Sequence, residues 1–220
     1  GALACNSSTQ PATTGQIALS SSVDLASADA SMIRRPRVLE PSTAGVDSVV
    51  ITRARLALRD IRFKTQGDSA NFRATTLILE PNLHGTMQYI SVADVPFGTY
   101  RRVEFDVHKV KADEVAQLPL AQRAAFADFL LDGGRSVIVS GRVYRADGGH
   151  DFTYASALNV NQKIELAQPL EVSEGAPLAN VTMKVYAGDW FIDSRGGWLD
   201  PTSGSDANDI AHNIARSIHM

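Results

Sequence analysis

The residues best suited to chemistry in this chain fall into three groups, and none has the spacing of a known catalytic motif. The densest is acidic. Asp189, Asp193 and Asp200 lie close together near the C-terminus, followed by Asp206 and Asp209, within DSRGG and LDPTSGSD. Calcium requires 6–8 oxygen ligands, and such a loop offers carboxylates, hydroxyls and carbonyls, though without the D-x-D-x-D-G spacing of an EF-hand. Each acid also has an ordinary use: Asp200 before Pro201 as a turn former, Asp206 and Asp209 as charges at a helix N-terminus. A second group is His84 with Met87, an H-x-x-M pair whose soft ligands suit copper. Two ligands do not define a site, and a loop histidine beside a core methionine explains them equally well. The third is aromatic. Tyr144, Phe152, Tyr154, Trp190 and Trp198 are candidates for a carbohydrate platform, since exposed aromatics on sheets mark binding sites, whereas cross-strand core packing is their commoner use.

Nucleophilic and hydrolytic machinery is missing from the sequence. There is no GxSxG elbow, no Cys–His pair and no HExxH. Glu104 and Asp106 share a strand face with Arg102 and His108, and Arg53, Arg55 and Arg59 share another; ion pairing across strands accounts for both sets. No catalytic residue is assigned, and the chain is expected not to be an enzyme.

The elements that must position these residues are mainly strands. The chain has 220 residues, 44% hydrophobic and 20% charged, with a net charge of −3. That charge creates no field to recruit nucleic acid. In VDSVVITRARLALRDIRFK, Ala54, Leu56 and Leu58 share one parity while Ile61 and Phe63 share the other, so a β-bulge is expected near Asp60. VPFGTYRRVEFDVHKV places Val103, Phe105 and Val107 on one face and charged residues on the other. ADGG between two alternating runs marks a hairpin. LPLAQRAAFADFLLDGG reads as one inserted helix with Leu120, Ala124, Phe126 and Leu130 on its apolar side. The tail places Ile210, Ile214 and Ile218 on one stripe, as in a docked C-terminal helix. The expected fold is all-β, a mainly antiparallel β-sandwich of immunoglobulin-like or transthyretin-like type, with these two helices.

Residues 6–31 read differently: fifteen of the 26 are Ser, Thr or Ala, and none is aromatic or basic. A stretch so poor in apolar surface is expected to be a spacer. Residues 1–45 are therefore assigned to an extended segment and 46–220 to a single sandwich domain. Ile17, Leu19, Val23 and Leu25 alternate, so the segment is able to add a strand to an exposed sheet edge of its own body or of a neighbour. Its weak apolar content favours a neighbouring molecule, either another envelope protein or a copy of itself, docking through residues 6–45.

The single cysteine, Cys5, follows Ala2, Leu3 and Ala4 and precedes this polar tract. The stretch GALACNSS resembles the end of a bacterial lipoprotein signal, in which the cysteine becomes the first mature residue and carries the lipid. With the pattern Val95-Pro96-Phe97-Gly98-Thr99-Tyr100 and the closing WFIDSRGGWLDP, the chain also resembles uncharacterised β-sandwich lipoproteins of bacterial envelopes. The resemblance implies lipidation at Cys5, membrane attachment through that lipid, and an extracytoplasmic location. Asn6, where inner-membrane retention uses aspartate, implies the outer membrane. The functional expectation is a non-enzymatic, lipid-anchored protein that binds a partner protein or builds a surface assembly. The alternative is a small-ligand module of the envelope for carbohydrate, calcium or copper. No cofactor is assigned beyond possible calcium.

Overall fold

The parity conflict in the longest strand is resolved where the sequence places it. The computed structural model describes residues 13–24, 45–65, 72–73, 77–84 and 86–219. Strand β2 (Ser48–Thr65) buries Ala54, Leu56 and Leu58 and then, after a slip, Ile61 and Phe63. Its pairing register with β6 (Gly98–Val107) shifts between Arg59 and Arg62, and Asp60 sits at φ +52°. The extra residue lets both apolar sets face the same core.

Two sheets pack face to face, as expected of an all-β sandwich. The larger runs β8 (Gly148–Ser156), β7 (Val137–Arg145), β2, β6, β9 (Val160–Val172), with β3 (Phe72–Arg73) and β4 (Leu77–Leu79) also paired to β2. β2 is long enough to serve two partners in succession, β7 along residues 48–56 and β6 along residues 58–65. The hairpin signal holds: β7 and β8 pair antiparallel with Arg145 opposite Gly148, which takes φ +120°.

The smaller sheet runs β11 (Ile218–His219), β10 (Leu178–Tyr186), β1 (Thr14–Asp24), β5 (Gln88–Pro96). Here the sequence-based boundary at residue 45 is corrected. β1, expected to belong to a spacer, is an interior strand of its own domain, parallel to β10 and antiparallel to β5. Ile17 is fully buried, and Leu19 and Val23 nearly so. Hydrogen bonding along both edges offsets its sparse apolar content, and its small residues suit the flat outward face. Residues 6–12 and 25–44 of the proposed segment, including Leu25, lie outside the described residues, as does Cys5.

The two sheets are joined by the Val95–Tyr100 stretch, which ends β5 and begins β6. Tyr100 is fully buried, packs edge-on against Phe63 at 6.4 Å and donates its hydroxyl to the Pro96 carbonyl at 2.7 Å. That bond closes the crossover between sheets, a structural use of the Gly-x-Tyr pattern.

The inserted helix departs from expectation. It is α1 (Ala112–Ala116), α2 (Leu120–Arg123) and then a 3-10 stretch over Ala124–Gly133 that breaks at Leu131 and Asp132. Three residues per turn put Phe126 and Phe129 in line, and these two are buried, whereas Leu120 is 80% exposed. With Val110, Val115 and Leu118 they form a second core against Ala57 and Ile138, on the outer face of the large sheet. The C-terminal helix α3 (Ala207–Arg216) seats Ile210 and Ile214 in the main core as expected, whereas Ile218, expected on the same helical stripe, is buried there from β11.

Candidate functional site

The acidic loop is internally consumed. Asp193 Oδ1 accepts the backbone N–H groups of Arg195 at 2.8 Å and Gly197 at 2.7 Å. Asp200 Oδ1 accepts the amide and hydroxyl of Thr202 at 2.9 and 2.7 Å, while Oδ2 takes Arg145 Nη2 at 2.6 Å. Asp206 Oδ2 turns back to accept the Asp200 amide at 2.7 Å. Burial opposes ionisation of Asp200, but Thr202 and Arg145 together hold its carboxyl below the usual carboxylate range. The same is true of Asp193, where burial is outweighed by the backbone amides of Gly197, Arg195 and Gly196. These are the marks of a loop folded on its own acids.

A pH dependence follows from the sign of the Asp200 shift. A depressed folded-state pKa adds stability above the ordinary carboxylate range, and that stability is lost as pH falls through the folded value. Asp200→Asn is expected to cost about 1–3 kcal/mol at pH 7, the worth of the charge-assisted bond to Arg145. The gap between the urea melts of the two proteins should narrow as pH falls below the ordinary carboxylate range. A constant gap across pH would mean that charge is not what the loop uses.

Among the described residues no group of three or more His, Cys, Asp or Glu side chains could hold a metal ion, so Asp189, Asp193 and Asp200 do not meet as a calcium cage. His84 is exposed, with its amide held by Asn82 Oδ1, and Met87 is 68% exposed and lies against the Thr182 hydroxyl. Among the described residues no His, Cys, Asp or Glu cluster forms around the H-x-x-M pair, and Met87 is not a core residue.

The aromatic platform does not form, because the strand register divides its members. Tyr154 and Phe152 pair with Val139 and Gly141, on the core-facing parity, while Tyr144 pairs with Gly149 on the opposite one. Phe152 and Tyr154 are buried and make edge contacts with Phe191 at 5.5 and 6.4 Å; the Tyr154 hydroxyl donates to the Ala207 carbonyl. Trp190 is wholly buried and its indole N–H donates to Ser217 Oγ at 2.8 Å. Trp198 is half-buried in a β-bridge to Ile192. Tyr144 alone of the five remains open, 40% exposed with the Arg142 guanidinium over its ring at 5.9 Å. Shared parity was legible; which face pointed inward was not.

Charged residues on the large sheet pair as anticipated in kind but only partly in partner. Arg59 meets Asp106 and also Glu114 from α1, whereas Arg53 reaches Glu80 and Arg55 reaches Asp128. Arg102 pairs with Glu104 on its own strand.

The feature that sequence reasoning missed is the outer face of the small sheet. Tyr89 and Val92 of β5 are 60% and 38% exposed, and Leu178 of β10 is 56% exposed. A register slip between Leu19 and Ser20 brings Tyr89 opposite Ser20 and Val92 opposite Ala18, both outward. Met87 lies on the same face against Thr182. Between them run Ala18, Ser20 and Ser22 of β1 and Asn180 and Thr182 of β10, a low floor of small side chains. Half of the large exposed apolar residues in the described chain gather here, which a solvated sheet face does not require.

The fold and face together define an all-β sandwich whose small sheet exposes large apolar side chains on its outer face among the described residues. No family model and no curated protein matches the chain. Among solved structures it is similar to MbnP from Methylosinus trichosporium, at 9% identity and a TM-score of 0.42, over 82% of this chain and 78% of that one.

Proposed function

We propose that this chain is a non-enzymatic, lipid-anchored extracytoplasmic protein that binds a partner protein through the outer face of its small sheet. The observation that carries the reading is the exposure of Met87, Tyr89 and Val92 side by side on that face, with Leu178 exposed further along it. Aromatic and methionine side chains over a floor of small residues suit a protein surface, where such residues supply binding energy at low entropic cost. The neighbouring polar groups, Gln16 bonded to Asp94 and exposed Asn180 and Lys184, give the patch a polar rim. Support for the anchor comes from the Ala-Leu-Ala-Cys5 context and the polar tract that follows it. In the calcium and carbohydrate alternatives, Asp193 and Asp200 are spent within the loop and Phe152, Tyr154 and Trp190 are buried, leaving Tyr144 exposed; the copper pair, His84 and Met87, is exposed, and Met87 lies against Thr182.

Two substitutions test the reading. Met87→Asp with Tyr89→Asp should leave the melting temperature within about 2 °C, because both side chains are exposed. Partner capture from native membranes should fall at least about tenfold, as expected for loss of central aromatic and methionine contacts. Undiminished capture by the folded variant would overturn the assignment of this face. Cys5→Ala should move the protein to the soluble fraction, and retention at the membrane would remove the anchor.

A further inference from the structure

We propose that β1 is an exchangeable strand, and that its slot between β10 and β5 accepts the β1 of a second copy of this chain. The inference is independent of the outer-face reading, since it rests on the strand's backbone pairing and topology. β1 makes no hairpin with either neighbour: its parallel partner β10 and antiparallel partner β5 both come from far along the chain. Its connection, residues 25–47, leads out of the small sheet and into β2 of the large one. Extended, that connection spans on the order of 70 Å, enough to reach an adjacent molecule.

The strand is held by its backbone along both edges and by the buried side chains of Ile17, Leu19 and Val23, with one weak point on its core face. Both edges are paired, from Gln16 to Asp24 on β10 and from Thr14 to Ser21 on β5. Yet the position that follows Ile17 and Leu19 on the core face is Ser21, fully buried, with its hydroxyl making no hydrogen bond. A buried hydroxyl without a partner weakens the strand's fit to the core. The slot is nonetheless specific in register. A Cβ added at Gly15 would lie 2.5 Å from both the Pro177 carbonyl oxygen and Val172 Cγ1, so only glycine fits there. A second copy carries the same glycine and the same pattern, and fills the slot with the same bonds. Departure of β1 alone opens two sheet edges at once, which favours refilling from any copy within reach.

Magnitude decides when exchange occurs. Tethered through residues 25–47, β1 meets its own slot at an effective concentration of about 1 mM, so dilute protein closes on itself. Copies crowded on a surface or refolded at comparable concentration exchange.

The test uses the full chain with Cys5→Ser, Ser22→Cys and Lys184→Cys, placing the new pair at facing positions of β1 and β10. An equimolar mixture of 15N-labelled and unlabelled protein is unfolded, refolded at about 5 µM and about 1 mM, and oxidised. Expected is a 22–184 disulfide within one isotope at low concentration, and mixed-isotope 22–184 links in about a tenth or more of the molecules at high concentration. Single-isotope links at both concentrations would overturn the proposal. So would mixed-isotope links distributed equally among 22–22, 184–184 and 22–184, which denote collision of surfaces. A Gly15→Val copy, mixed with the unlabelled chain, should donate no strand.

Discussion

Deleting residues 13–24 is expected to leave a chain that does not fold as a monomer. Were these residues a passive spacer, the sandwich would melt as before; as β1 they close the small sheet. Ile17, Leu19 and Val23 are buried, and each contributes about 1.5–3 kcal/mol on removal from water. Their loss alone approaches the 5–15 kcal/mol that typically holds a domain together. It also strips β10 and β5 of the strand between them, leaving unpaired backbone along both. Circular dichroism and urea titration should show no cooperative transition. Gly15→Val provides the point-mutant form of the same experiment, because its side chain would collide with Pro177 and Val172. A truncated protein with a cooperative melt near that of the full chain would show that β1 is dispensable.

Trp190→Ala should destabilise the domain by about 3–5 kcal/mol, the range for removing a large aromatic from a packed core. Trp190 is wholly buried and joins the end of β10 to α3. Its indole N–H bonds Ser217 Oγ, and that hydroxyl donates in turn to the Ile214 carbonyl. Asn213 reaches the other way, its Nδ2 lying within 2.8–3.3 Å of the carbonyls of Asp189, Trp190 and Ile192. Emptying this position therefore undermines both the core and the seat of the helix. For a domain of this size the midpoint should drop by roughly 10 °C or more. Trp190→Phe keeps most of the volume but loses the Ser217 bond, and should cost about 1–2 kcal/mol. Equal melting of the alanine variant and the parent would mean that α3 is held elsewhere.

What the sequence disclosed was whatever depends on local periodicity. The bulge at Asp60 follows from two apolar parities in one run, and the C-terminal helix follows from Ile210 and Ile214 four apart, although Ile218 on the same stripe falls in β11. β1 leaves only a faint trace, the alternation of Ile17, Leu19 and Val23, which does not say which sheet it joins. Its three large apolar residues are diluted by Ser, Ala and Gln, and what stabilises it is pairing with β10 and β5, more than sixty residues away. Parallel pairing of that kind has no turn to announce it. The apolar outer face was hidden for a related reason. Strict alternation along Gln88–Pro96 separates Tyr89 from Val92, and only the slip opposite Leu19 and Ser20 turns both outward. The aromatics of the proposed platform failed on a different point. Period-2 spacing established that Phe152 and Tyr154 share a face but carried no information on which face meets the core, and Phe191 occupies it. The acids near the C-terminus were visible as a cluster, while their partners were not, since Arg145 arrives from another strand and the rest are amides of the loop itself.

The central claim is that a partner protein covers the outer face of the small sheet. The most direct test places a photo-activated cross-linking residue at Tyr89 in otherwise intact protein within its native cells. The control position is Leu120, exposed to 80% on the helical layer across the large sheet. Illumination should yield a discrete higher-mass product from position 89 and none from position 120. No product from 89, or equal products from both positions, would contradict the account.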